Sequence, residues 1–142
     1  MTESGQSSDS DGGYGAVTHG FEVRVEPFYL ADHSEPSENR YVWAYRVAIA
    51  NHGSRAARLV SRHWDIVDAN GSQRTVSGPG VVGQTPLITP GDTFEYHSGC
   101  PLDTPGGTMA GHYTMVDDEG GSFEITIPSF SLDVPGEPRT LN

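Results

Sequence analysis

Val76-Ser77-Gly78-Pro79-Gly80-Val81-Val82-Gly83-Gln84-Thr85-Pro86-Leu87-Ile88-Thr89-Pro90-Gly91 holds a G-x-G-x-x-G string with strand-like sequence before it. In a dinucleotide-binding unit such glycines lie between a strand and a helix whose N-terminal N–H groups and dipole hold the pyrophosphate. Here Pro86 and Pro90 leave no room for that helix. The string matches as text, but its setting is one of strands and turns. That difference decides the fold class.

The same pattern continues outward on both sides. Phe21, Val23 and Val25 alternate with Glu22, Arg24 and Glu26, the period of a half-buried strand. Tyr41, Trp43, Tyr45, Val47 and Ile49 alternate over nine residues, the strongest strand signal, and Asn51-His52-Gly53 ends it. Residues 56–69 could also line a helix with Ala56, Val60, Trp64 and Val67. We read a strand, with Val60, Trp64 and Ile66 on one face and Asn70-Gly71 turning the chain into Gln73–Val76. Thr93–Tyr96, the alternation of Met109, Gly111, Tyr113 and Met115, and then Phe123, Ile125, Ile127, Phe130 and Leu132 complete the series. Six or seven short strands divided by Gly and Pro turns predict an all-β, antiparallel Ig/fibronectin type III-like β-sandwich.

Residues 1–19 are almost wholly Ser, Gly, Asp, Glu, Gln and Thr. They offer little apolar area to offset ordering entropy and are expected to be disordered and dispensable for folding. The domain is expected over 20–142, with a short extended tail from about residue 133, where Pro135 and Pro138 bar a helix. A chain of 142 residues fits one domain of this kind. The single cysteine, Cys100, excludes an intrachain disulfide framework and agrees with a cytoplasmic location. Nineteen acids against eight basic residues, all arginine, give a net charge of −11. That charge disfavours nucleic acid as a partner. No apolar run reaches the ~20 residues of a membrane-spanning helix, and no secretory signal is expected.

A larger set of residues carries a family resemblance. Tyr45, Asn51, Leu59, Ser61-Arg62-His63-Trp64, Gly71, Val76 to Gly83, Pro86, Pro90-Gly91 and Tyr96 belong to it. So do Met109, Gly111, Tyr113, Pro128 and Phe130. In this order, over roughly residues 21–133, the sequence resembles the ApaG family, a domain also found in some eukaryotic F-box proteins and in a polymerase-interacting protein. The resemblance implies a fibronectin type III-like sandwich, an association with cobalt resistance and magnesium efflux, and no established enzymatic activity.

Candidate sites are few. Gly78, Gly80 and Gly83 could form a nest of N–H donors for an anion, with Arg62 or Arg74 supplying charge. We prefer a tight inter-strand loop, in which glycines take positive φ and Val81-Val82 pin the loop to the core. On a strand, His63 points away from Arg62 and Trp64, so it is expected as a surface or second-sheet residue rather than as a general base. Arg62, on the Trp64 face, must bury its stem and find a polar partner or emerge at an edge. The six histidines show no ligand spacing, and Asp117-Asp118-Glu119 lies in a turn, so no metal or other cofactor is expected. No G-x-S-x-G elbow is present, and Cys100 between Gly99 and Pro101 reads as a small apolar residue.

The expected function is a non-enzymatic binding module, monomer or homodimer, whose partner is another protein, with no membrane insertion. The competing expectation is a nucleotide or pyrophosphate binder that uses the Gly78–Gly83 loop.

Overall fold

The computed structural model describes residues 13–136. It contains β1 (Tyr14–Thr18), β2 (Phe21–Tyr29), β3 (Tyr41–Asn51), β4 (Ala57–Asp68), β5 (Gln73–Pro79), β6 (Leu87–Ile88), β7 (Thr93–Leu102), β8 (Gly106–Asp117) and β9 (Ser122–Asp133). Two 3-10 turns, Ala31–His33 and Pro36–Glu38, separate β2 from β3. One sheet runs β1-β2-β3-β7; the other runs β5-β4-β8-β9, with β6 also paired to β4. All strand pairs are antiparallel. The expected β-sandwich is therefore the fold, with nine strands among the described residues.

Alternation places the core between the sheets. Val23 and Val25 of β2 and Trp43, Tyr45, Val47 and Ile49 of β3 are buried, as are Tyr113, Met115, Ile125 and Ile127 of the facing sheet. Polar groups that enter this layer are satisfied. Asn51 Nδ2 donates to the Arg55 and Ile88 carbonyls at 2.8 and 3.0 Å, and its Oδ1 accepts the Gly53 N–H. Trp43 Nε1 donates to the Asp133 carbonyl at 2.8 Å. A buried polar group left unmatched would cost about 1–3 kcal/mol.

Two expectations need correction. β4 does not keep one parity: the register shifts between Leu59 and Ser61, so Val60 occupies a bulge. Ala57 and Leu59 face the core before the bulge, Trp64 and Ile66 after it, and Val60 is only half-buried. An extra residue in one strand exchanges its faces, which simple alternation cannot foresee.

The second correction concerns the segment 1–19, expected to be disordered. Its residues Tyr14–Thr18 form β1, paired with β2 from Tyr14 opposite Val25 to Thr18 opposite Phe21. Backbone pairing and the Tyr14 ring, 5.9 Å from that of Phe130, provide the order that composition did not predict. The rest of that expectation, over residues 1–12, lies outside the described residues. At the other end β9 continues to Asp133, and Val134 packs against the core, while residues 137–142 of the expected tail lie outside the described ones.

Candidate binding cleft between two sheet edges

The G-x-G-x-x-G string resolves into parts of different kinds. Gly78 is an ordinary strand residue of β5, opposite Arg62 on β4. Val81 and Gln84 then exchange both backbone hydrogen bonds at 2.9 Å, closing a two-residue turn over Val82 and Gly83. Both turn residues have positive φ, 42° and 81°, as in the type I′ turns of tight hairpins. Gly80, at φ 58°, passes so close to the far side of this turn that a β-carbon would lie 2.2 Å from the Gln84 carbonyl oxygen. Its N–H donates to the carbonyl of the bulged Val60 at 2.8 Å. Loop and bulge are thus fitted to each other.

The expected tight loop forms with two differences, the first being that Gly80 and Gly83 take positive φ but Gly78 does not. Val81 is fully buried, but Val82 is 53% exposed and pins nothing. A β-branched residue at positive φ is strained by about 1–2 kcal/mol.

Arg62 brings the loop and the cleft together. Its Nη1 donates to the Pro79 and Gly80 carbonyls, each at 2.9 Å. The guanidinium lies over Gly78, where a β-carbon would sit 3.1 Å from Nη2. The structure therefore groups Arg62 with Gly78 and Gly80. The Gly83 α-carbon faces open space instead. The N–H groups of Gly80, Val81 and Gln84 already serve protein carbonyls.

Arg62 also lines a cleft of about 340 Å³ between the β5 and β7 edges of the two sheets. Trp64 and Tyr45 contribute to it, their rings 5.2 Å apart. On the β5 side stand Arg74 and Val76; on the β7 side, Tyr96, Ser98 and Cys100. Arg74 Nη2 reaches across to the Pro101 carbonyl at 3.2 Å. Tyr96 and Tyr113 share a short hydrogen bond between their hydroxyls. Burial pushes the Tyr45, Tyr96 and Tyr113 hydroxyls and the Cys100 thiol up, so all four are neutral at neutral pH. A protonated, buried thiol is a poor nucleophile.

His63 lies on the opposite face, as expected. Its Nδ1 is 2.8 Å from Ser77 Oγ, its Nε2 3.0 Å from Asp65, and its ring stacks on His112 at 5.0 Å. The acidic turn is explained by its own bonds. Asp117 Oδ1 accepts the N–H groups of Glu119 and Gly121, while Arg55 meets Asp118 and Glu119 at 2.9 and 3.3 Å. Those backbone donors hold the Asp117 carboxyl below its usual range.

Sequence reading found Arg62, Arg74 and the glycines but not the tyrosines and Cys100 that share their cleft. Tyr45 and Tyr96 carried a signal as members of strands and as marks of the family resemblance; nothing local says that two strands become facing edges.

Fold and cleft define a fibronectin type III-like sandwich module with one open edge-to-edge seam. The sequence profile of the ApaG domain matches residues 31–117. Protein ApaG of Rhizobium meliloti (strain 1021) is 57% identical over 129 residues, covering 91% of this chain and 99% of that protein. Protein ApaG of Brucella abortus (strain S19) is 58% identical over the same shares. The crystal structure of a protein from Bordetella pertussis described as ApaA superposes with a TM-score of 0.80 at 50% identity, covering 82% of this chain and 95% of that one. The chain belongs to the ApaG family.

Proposed function

We propose that this chain is a non-enzymatic binding module that takes up an extended segment of another protein along strand β5, at the open seam. The carrying observation is the state of the sheet edges. A free edge offers unpaired N–H and C=O groups to any added strand, and proteins normally blunt it. The β1 edge is stitched to the other sheet, where Thr18 Oγ1 accepts the Thr126 N–H. β9 carries Pro128 in mid-strand, which cannot donate to a ladder, and β7 has Pro101 next to its end, its carbonyl taken by Arg74. β5 is exposed along nearly its whole length, pairs among the described residues with β4 alone, and has no proline before Pro79 at its end.

The association with cobalt and magnesium efflux would then act through the partner protein in the cytoplasm rather than through an ion held by this chain. The competing reading, a nucleotide or pyrophosphate site at Gly78–Gly83, has a direct test. Melting temperature is followed with ATP, diadenosine tetraphosphate and pyrophosphate, with and without magnesium, beside a panel of unstructured ten-residue peptides. A peptide that stabilises by mass action, with no shift from the phosphates, is the expected result. A saturable phosphate shift in the parent chain, with no shift from any peptide, would overturn the proposal.

A further inference from the structure

The arginines of the seam indicate what kind of segment it takes. Of the other described arginines, Arg58 donates to the Thr85 carbonyl, while Arg24 meets Glu22, Arg46 meets Glu26 and Glu95, and Arg55 meets the acidic turn. Arg62 and Arg74 instead bond backbone carbonyls, and among the described residues neither pairs with an acid. No residue lining the cleft is acidic, in a chain of net charge −11. Carbonyls satisfy some of a guanidinium's five donors but leave its charge uncompensated. The cleft is a cationic hollow on an acidic protein.

Spacing adds to charge. The Arg62 guanidinium lies over Gly78, and Arg74 stands four residues earlier on the same strand. Four strand residues span about 14 Å of backbone, the spacing of residues i and i+4 in an extended peptide laid alongside. Between the two cations Val76 faces the cleft, and the strained, exposed Val82 stands at its rim. Strain held at a site edge is a pattern of functional surfaces. The order along this lip is cation, apolar, cation, at positions 74, 76 and 78.

We propose that the seam recognises an extended acidic peptide with carboxylates at positions i and i+4 and an apolar residue at i+2, laid along β5. This rests on the binding-module reading and names its ligand class. The two carboxylates meet Arg74 and Arg62, and the apolar side chain meets Val76 and Val82. The pattern is symmetric, so it fits in either chain direction.

The test uses the full chain and fluorescein-labelled Ser-Asp-Thr-Val-Thr-Asp-Ser, with binding read by fluorescence anisotropy. Three peptides serve as controls: the same peptide with lysine for both aspartates, with serine for both, and with the aspartates moved to either side of valine. Saturable binding, weakened about tenfold or more by each change and by high salt, is expected. Arg74→Gln should weaken binding by a similar factor and flatten its salt dependence, whereas Arg24→Gln, outside the seam, should not. Arg62→Gln disturbs the loop it holds, so Arg74→Gln decides. Equal binding of the lysine or rearranged peptide, indifference to Arg74→Gln, or no saturable binding of any peptide would overturn the proposal. Equal, Arg74-independent binding of the serine peptide would remove the acidic preference and leave the module reading standing. No peptide binding together with a pyrophosphate-induced rise in melting temperature would remove both.

Discussion

The two seams of the sandwich are built in opposite ways. Along one, β1 and β2 lie against β9, Tyr14 packs on Phe130, and Thr18 bonds the Thr126 backbone across the sheets. Along the other, β5 and β7 stand apart around a cleft whose floor is the core itself, and Arg74 bridges it at one point. The first seam uses short polar and aromatic contacts to close an edge. The second holds two charges without acidic partners, a strained valine and an unblunted strand. Among the described residues, a five-residue strand closes one seam, while the other keeps an unpaired strand edge.

The largest effect should come from the residue under the open seam. Trp64 is 3% exposed and packs against Tyr45 and Phe130. Trp64→Ala should cost roughly 3–5 kcal/mol in urea unfolding, as removal of a core aromatic does. A cost below about 1 kcal/mol would mean that the cleft floor is not core.

Opening the closed seam should cost less. Deleting residues 1–18 removes β1 and its contacts, and should lower stability by roughly 1–3 kcal/mol. An unchanged melting temperature would show that β1 closes nothing and would erase the contrast between the seams.

A smaller effect, of opposite sign, belongs to the open seam. Val82→Asn tolerates positive φ better and should stabilise by about 1 kcal/mol, while removing an apolar contact for the peptide. A gain in stability with unchanged peptide affinity would leave the strain without a role.

Away from both seams the expected effect is slight. The Asp117 carboxyl is held low by the N–H groups of Gly121 and Glu119. A folded-state value below the unfolded one near 3.8 means that its contribution is present at neutral pH and lost as pH falls through that range. Asp117→Asn should therefore lose a little stability at neutral pH, with the difference shrinking below about pH 4. A difference that persists in acid would assign the effect to the turn's shape rather than its charge.

The sequence carried most of the fold, because period-two alternation and Gly-Pro turns are local signals. Tyr41–Asn51 and Phe21–Val25 are strands because each alternates unaided. The bulge at Val60 was not legible, since it is set by the fit of Gly80 to a strand carbonyl from a separate loop. β1 was not legible either: five residues in a Gly- and Ser-rich segment are ordered by a neighbour's backbone, which composition does not report. Of the cleft, Arg62 could be placed on the inner face by parity alone. Its company of Tyr45, Tyr96 and Cys100 depends on which strands become edges, a property of topology.

The central claim is that β5 is a free edge at which an extended partner pairs. Hydrogen exchange of the full chain, with and without saturating acidic peptide, tests it residue by residue. The account predicts slowed exchange at alternate amides of Gln73–Gly78, whose N–H groups face away from β4, with β1 and β9 unchanged. Protection confined to Gly80–Gln84, or appearing along β1 and β9 while β5 stays fast, would contradict it.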